Sequence, residues 1–231
     1  MVRSRKRITH KDLSRPDQFI TLTSRAFRYF ERNRSRILYS LALVVLVFLS
    51  LWGWTMYKEN QNRLAAKVYS RALTAYRSGQ YQDALDGFLR LGAYRSSTYG
   101  RLALLYRAQS HIALKQPTEA VPVLKEFLER QREDSYLRQL GFMTLGYAHE
   151  KAGQCPKAVT AFEEAQKLTG PLQEDALLAM ARCNTQTGNL KEALSAYRDY
   201  LSNFIGSPRT VEIALRIQEI ESKMKGLGES K

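Results

Sequence analysis

The sequence predicts an all-α protein: a single N-terminal transmembrane helix, then a solenoid of about four helical hairpins and a C-terminal capping helix. Three observations carry this prediction. The 21 residues Ile37–Tyr57 contain no charge. A small-then-large pattern recurs every 35 to 38 residues further on. A final segment after Ser207-Pro208 carries one apolar stripe.

The apolar run ILYSLALVVLVFLSLWGWTMY would span roughly 31 Å as a helix, about the hydrocarbon thickness of a bilayer. Before it, residues 1–36 hold eleven Lys and Arg against Asp12, Asp17 and Glu31. Basic flanks stay cytoplasmic, so residues 1–36 are expected inside and residues 58–231 outside. Trp52, Trp54 and Tyr57 gather at the far end, where amphipathic rings favour the headgroup layer. A cleaved signal peptide would have a shorter apolar region and a small-residue cleavage site, but Trp-Thr-Met-Tyr-Lys-Glu follows here. The segment therefore reads as an uncleaved anchor, residues 37–57.

Most of the net charge of +14 lies in that tail, where topology and anionic lipid account for it. The rest of the chain has no basic run interleaved with aromatics, which argues against nucleic acid. Within the tail, Asp17 is an N-cap candidate. Phe19, Leu22, Ala26, Tyr29 and Phe30 fall near one helical face, with Arg25, Arg28 and Arg32 along another. Two readings stand: an amphipathic helix on the inner membrane surface, or an irregular flank. Residues 1–15 have a disordered composition.

Beyond the anchor the chain is self-similar. Ala84 and Phe88, Ala120 and Leu124, Ala158 and Phe162, Ala193 and Tyr197 each pair a small residue with a large one four places later. Twelve residues before each Ala stands another small residue: Ala72, Ala108, Gly146 or Ala181. Small residues let the two helices of a hairpin approach, and the large one fills the gap beside them. Gly79, Gly153 and Gly188 mark three of the four turns. This spacing is the tetratricopeptide pattern, with repeats near 65–96, 97–133, 134–170 and 171–206. The consensus Trp is replaced by Val68, Leu104, Phe142 and Leu177, and Pro122 is expected to kink or shorten the second helix of unit two. In SPRTVEIALRIQEIESKMKG, Ser207 is a cap candidate and Pro208 a first helical residue. Ile213, Ile217, Ile220 and Met224 then form the stripe of a capping helix, 208–225. Residues 58–78 contain no helix breaker, so the anchor helix is expected to continue into the first repeat.

Signals for chemistry are few. His10 is in the tail. His111 and His149 occupy equivalent places about 10 Å apart, too far for one metal ion, and read as packing histidines. No Ser/His/Asp grouping, phosphate loop or metal-spaced cluster occurs, so no enzyme activity, cofactor or metal is expected. Cys155 and Cys183 should fall near one inter-repeat edge. An oxidised pair and two separately buried thiols both fit. The pattern puts Tyr69, Leu73, Tyr76, Arg77, Leu105, Gln109, Met143, Tyr147 and Arg182 on the first-helix face. They read as a peptide-binding groove or as packing residues.

The approach FRYFERNRSRIL, the Gly53-Trp54 pair near the membrane exit and the helix KENQNRLAAKVYSRALTAY together are similar to the bacterial ancillary SecYEG translocon subunit family (YfgM-like). That resemblance implies an inner-membrane protein with its C-terminal domain in the periplasm. Its partners would be SecYEG, periplasmic chaperones or client polypeptides, with lipid touched by anchor and tail and no small-molecule substrate. A scaffold for envelope assembly or cell division, and an organellar import receptor, share the same layout.

Overall fold

A computed structural model describes residues 33–94, 97–133 and 135–229. The expected tail helix from Asp17, residues 1–15 and His10 lie outside the described residues. The chain divides into two units, Met1–Tyr57 and Lys58–Lys231.

Helix α1 runs Arg34–Arg77 without a break. It is long and apolar enough to cross a membrane. In its first part Leu41, Leu46, Phe48 and Trp54 are exposed, and Ser40, Ser50 and Thr55 turn their hydroxyls onto helix carbonyls. Those back-bonds pair the three short hydroxyls within the helix itself, so they need no partner from outside the rod.

In the second unit the alternation of small and large residues becomes a stack of antiparallel helices. The last turns of α1 are followed by α2 (Tyr81–Arg90) and a 3₁₀ turn at Leu91–Tyr94. Then come α3 (Thr98–Ala113), α4 (Pro117–Arg130), α5 (Tyr136–Lys151), α6 (Cys155–Lys167), α7 (Gln173–Gln186), α8 (Leu190–Asn203) and α9 (Thr210–Glu229). From α2 onward each helix packs on the next. The described residues contain no strand.

The repeating small residues are where the helices touch. Ala72, Ala84, Ala108, Ala120, Ala158, Ala181 and Ala193 are all buried. A Cβ on Gly146 would lie 2.3 Å from the Phe162 ring, so only a hydrogen fits there. Gly79, Gly153 and Gly188 turn their hairpins in the left-handed region. Lys115 takes that conformation in unit two at φ 61°, a position costing a non-glycine residue about 1 kcal/mol. Pro122 does not shorten α4, which runs 14 residues, as long as α8. Its ring faces solvent, and only the backbone hydrogen bond to the Thr118 carbonyl is forgone.

Two polar devices tie the later helices. Gln139 is fully buried. Its Nε2 donates to the carbonyls of Ala165 and Leu168 at 3.1 Å, and its Oε1 accepts from the Leu172 amide at 3.2 Å. These bonds close the end of α6 onto α5 and α7. At the last hairpin, Glu174 accepts from the Tyr200 hydroxyl at 2.6 Å and the Ser207 hydroxyl at 2.8 Å. Ser207 is therefore engaged mainly by this triad, and α9 begins three residues later at Thr210. Ile213 and Ile220 of α9 are buried against α8, with Ile217 and Met224 partly covered beside them.

Candidate protein-binding groove

The first helices of the hairpins, α1 from Ala65 onward, α3, α5 and α7, carry the side chains expected to line a groove. At the N-terminal end the structure gathers rings. Tyr69 meets Tyr99 at 5.2 Å and Tyr106 at 5.9 Å between centroids, and Tyr76 meets Tyr106 and Tyr81, each at 5.5 Å. Phe88 stacks on Tyr106 at 5.5 Å beneath them. These tyrosines are half-buried, each with part of its ring open to solvent. Burial, then the neighbouring Tyr106, push the Tyr69 phenol above the ordinary tyrosine range, while Arg77 pulls the other way. The rings form an apolar platform edged by hydroxyls, the amphipathic character that suits tyrosine to interfaces.

The other end is charged. Arg182 on α7 grips Glu150 on α5 with Nε to Oε1 at 2.6 Å and Nη2 to Oε2 at 2.7 Å. This two-pronged bond raises the Arg182 pKa. Arg209 reaches back to Asp175 at 2.7 Å. Tyr147 packs edge-on against Phe162 at 5.3 Å, its phenol raised by burial and by Asp175. Tyr147, Asp175, Arg182 and Arg209, together with Tyr197 and Arg216, border a cavity of about 560 Å³, within the range of ligand pockets.

Of the nine residues expected to line the groove, Tyr69, Leu73, Tyr76, Gln109 and Tyr147 are half-buried, and Arg77 and Arg182 are exposed. Leu105 and Met143 are different. Each is only 2% exposed, inside the cores shared with α4 and α6, and offers no surface to a ligand. Tyr81, Tyr99, Tyr106, Glu150, Asp175 and Arg209 were missed. One signal could have found two of them: Tyr99 and Tyr106 repeat on α3 the seven-residue spacing of Tyr69 and Tyr76 on α1. The acidic partners carry no such signal, because pairing across helices depends on register.

Cys155 and Cys183 are buried in one cluster and unbridged. The Cys155 thiol donates to Gln186 Oε1 at 3.2 Å. Burial first, then its contact with Cys155, pushes the Cys183 thiol up. His111 and His149 each bond through Nδ1 to a glutamine five residues on, Gln116 and Gln154, at 3.1 Å. Burial lowers the His149 pKa, with Lys157 and Lys125 adding to the fall against the opposing Gln154 bond. Among the described residues, no group of three or more His, Cys, Asp or Glu side chains could hold a metal ion.

The tetratricopeptide repeat-like domain family matches residues 28–197. The chain belongs to that family. Among solved structures, one similar fold is that of the Podosopora anserina putative kinesin light chain TPR-like repeats. It is 18% identical with a TM-score of 0.55, covering 71% of this chain and 93% of that one. MamA is another, 16% identical with a TM-score of 0.54, covering 72% of this chain and 90% of that one. At these identities the likeness concerns the fold alone. Among curated proteins, none matches the sequence. An all-helical tetratricopeptide-like stack is a protein-interaction scaffold, so the chain's partners are proteins.

Proposed function

We propose that this tetratricopeptide-like protein is a membrane-anchored accessory subunit of the Sec translocon, binding periplasmic chaperones or emerging polypeptides without turnover. The observation that carries the reading is the pairing of an apolar helix able to cross a membrane with a two-character groove. The rings around Tyr69, Tyr76 and Tyr106 suit apolar side chains of an extended chain. The ion pairs Arg182–Glu150 and Arg209–Asp175 suit its polar groups and backbone. The basic residues 1–36 support a cytoplasmic N-terminus, leaving Lys58–Lys231 in the periplasm. In this reading the contact residues are Tyr69, Leu73, Tyr76, Arg77, Gln109, Tyr147 and Arg182. Leu105 and Met143 support them from beneath.

A photo-crosslinking side chain at Tyr147 in intact membranes tests the proposal. Adducts with translocon subunits, chaperones or chains in transit are expected. Adducts confined to wall or division proteins would replace the reading with an envelope scaffold. The alternating acidic and basic border of the 560 Å³ cavity gives that scaffold its one specific support, because a folded partner presents mostly polar surface. Protease added to sealed spheroplasts should degrade the second unit; full protection would refute the periplasmic assignment.

A further inference from the structure

A second concavity lies on a different face of α5 from the groove. Phe142, Leu145 and His149 fall on one side of that helix, whereas Met143, Tyr147 and Glu150 fall more than a quarter-turn away. On the Phe142 side, α4 and α6 stand apart over α5 and leave a trough of about 470 Å³. Its floor is apolar: Val121 and Phe142 are partly covered, and the buried core residues Leu145 and Ala161 lie beside them. This trough contributes nothing to the first-helix groove.

The rims of the trough are basic. Lys125 projects from α4 on one side and Lys157 from α6 on the other, both exposed. Neither forms an ion pair within the described residues. The acidic residue on the border, Glu164, is already held by Lys167 at 2.6 Å. Both ammonium charges are felt at the floor, where they act on His149 in the direction that disfavours a third positive charge. At the Phe142 end, the Arg138 guanidinium lies 5.1 Å from the ring centroid while donating to the carbonyls of Leu128 and Gln131. A greasy floor between two uncompensated cations is complementary to an anion carried on an apolar group.

We infer that this trough docks an acidic-apolar peptide segment, which lays an apolar side chain on Phe142 and Leu145 and sets a carboxylate between Lys125 and Lys157. The volume admits two or three side chains, in the usual range of about 300–1,000 Å³ for ligand sites. Because the lysines are at the rim, the interaction weakens as salt rises.

The test uses the full chain in phosphatidylcholine nanodiscs and a fluorescein-labelled decapeptide in which Leu and Phe alternate with Asp and Glu. Fluorescence anisotropy should detect binding. The double variant Lys125→Glu/Lys157→Glu, confined to exposed positions, should weaken it at least about tenfold with an unchanged circular dichroism spectrum. A Lys-for-acid version of the peptide should bind that variant better than the wild type. A version with Ser in place of Leu and Phe should bind neither. Equal binding of all three peptides to the wild type, or undiminished acidic-peptide binding by the double variant, overturns the inference. So does lysine-dependent co-flotation with phosphatidylglycerol vesicles without peptide binding, which would assign the two cations to a lipid surface. Crosslinking from Tyr147 reports the groove separately, so either proposal can fail alone.

Discussion

The first two hairpins and the last two use the same backbone pattern and hold it together differently. In the first, rings do the work: Phe88, Tyr69, Tyr76, Tyr99 and Tyr106 form one connected aromatic cluster. In the second, polar groups bridge the hairpins, with buried Gln139 bonded to three backbone groups and half-buried Glu174 to Tyr200 and Ser207. Ring packing tolerates small shifts because it is non-directional. A buried amide does not, since each lost bond leaves a desolvated group behind. The contrast teaches that a repeat conserves its small-residue contacts and leaves the joints between units free to differ.

Five measurements on the full chain in detergent bear on this contrast. The largest effect is expected from Phe88→Ala, which removes the ring beneath the cluster. Denaturation should show a loss of about 3–5 kcal/mol, and a loss under 1 kcal/mol would mean that the aromatic half is not a packed core. Next is Gln139→Ala in the polar half, expected to cost about 1–3 kcal/mol through the unpaired carbonyls of Ala165 and Leu168. Tyr200→Phe should fall in the same range but spare α5, which hydrogen exchange would reveal. Smaller and opposite in sign, Lys115→Gly should stabilise by about 1 kcal/mol, because glycine takes the left-handed turn without a Cβ penalty. No gain would indicate that unit two relieves the strain elsewhere.

The smallest effect is a slope against pH. His149 is held below its ordinary value, so the folded state prefers the neutral ring. Its contribution is complete above about pH 6.5 and is lost as pH falls below that, where the unfolded chain binds the proton first. Melting temperatures should therefore fall between pH 7 and 5, and less steeply in His149→Asn. Glu174, whose pKa is lowered by its bonds to Tyr200 and Ser207, acts in a separate, more acidic window below about pH 4.5. Parallel slopes for wild type and variant would remove His149 from the account.

Local signals decided much of this protein. A charge-free run long enough to cross a bilayer is visible in composition, because the bilayer sets its length. The hairpins were legible because helix contact at Ala72, Ala84, Ala158 or Gly146 demands a small residue at a fixed spacing, whatever surrounds it. The capping stripe of α9 follows from 3.6-residue periodicity alone. Tertiary structure decided what periodicity cannot carry. Leu105 and Met143 sit at groove-like positions, yet neighbouring helices cover them. Ser207 has the chemistry of a cap, yet Tyr200 and Glu174 claim its hydroxyl. Arg182 finds Glu150, and Lys125 and Lys157 come to border one trough, only because hairpins stack in one register. Sequence spacing reports which residues share a helix face; which faces meet, and which side chains remain open to a partner, depends on packing between segments 30 or more residues apart.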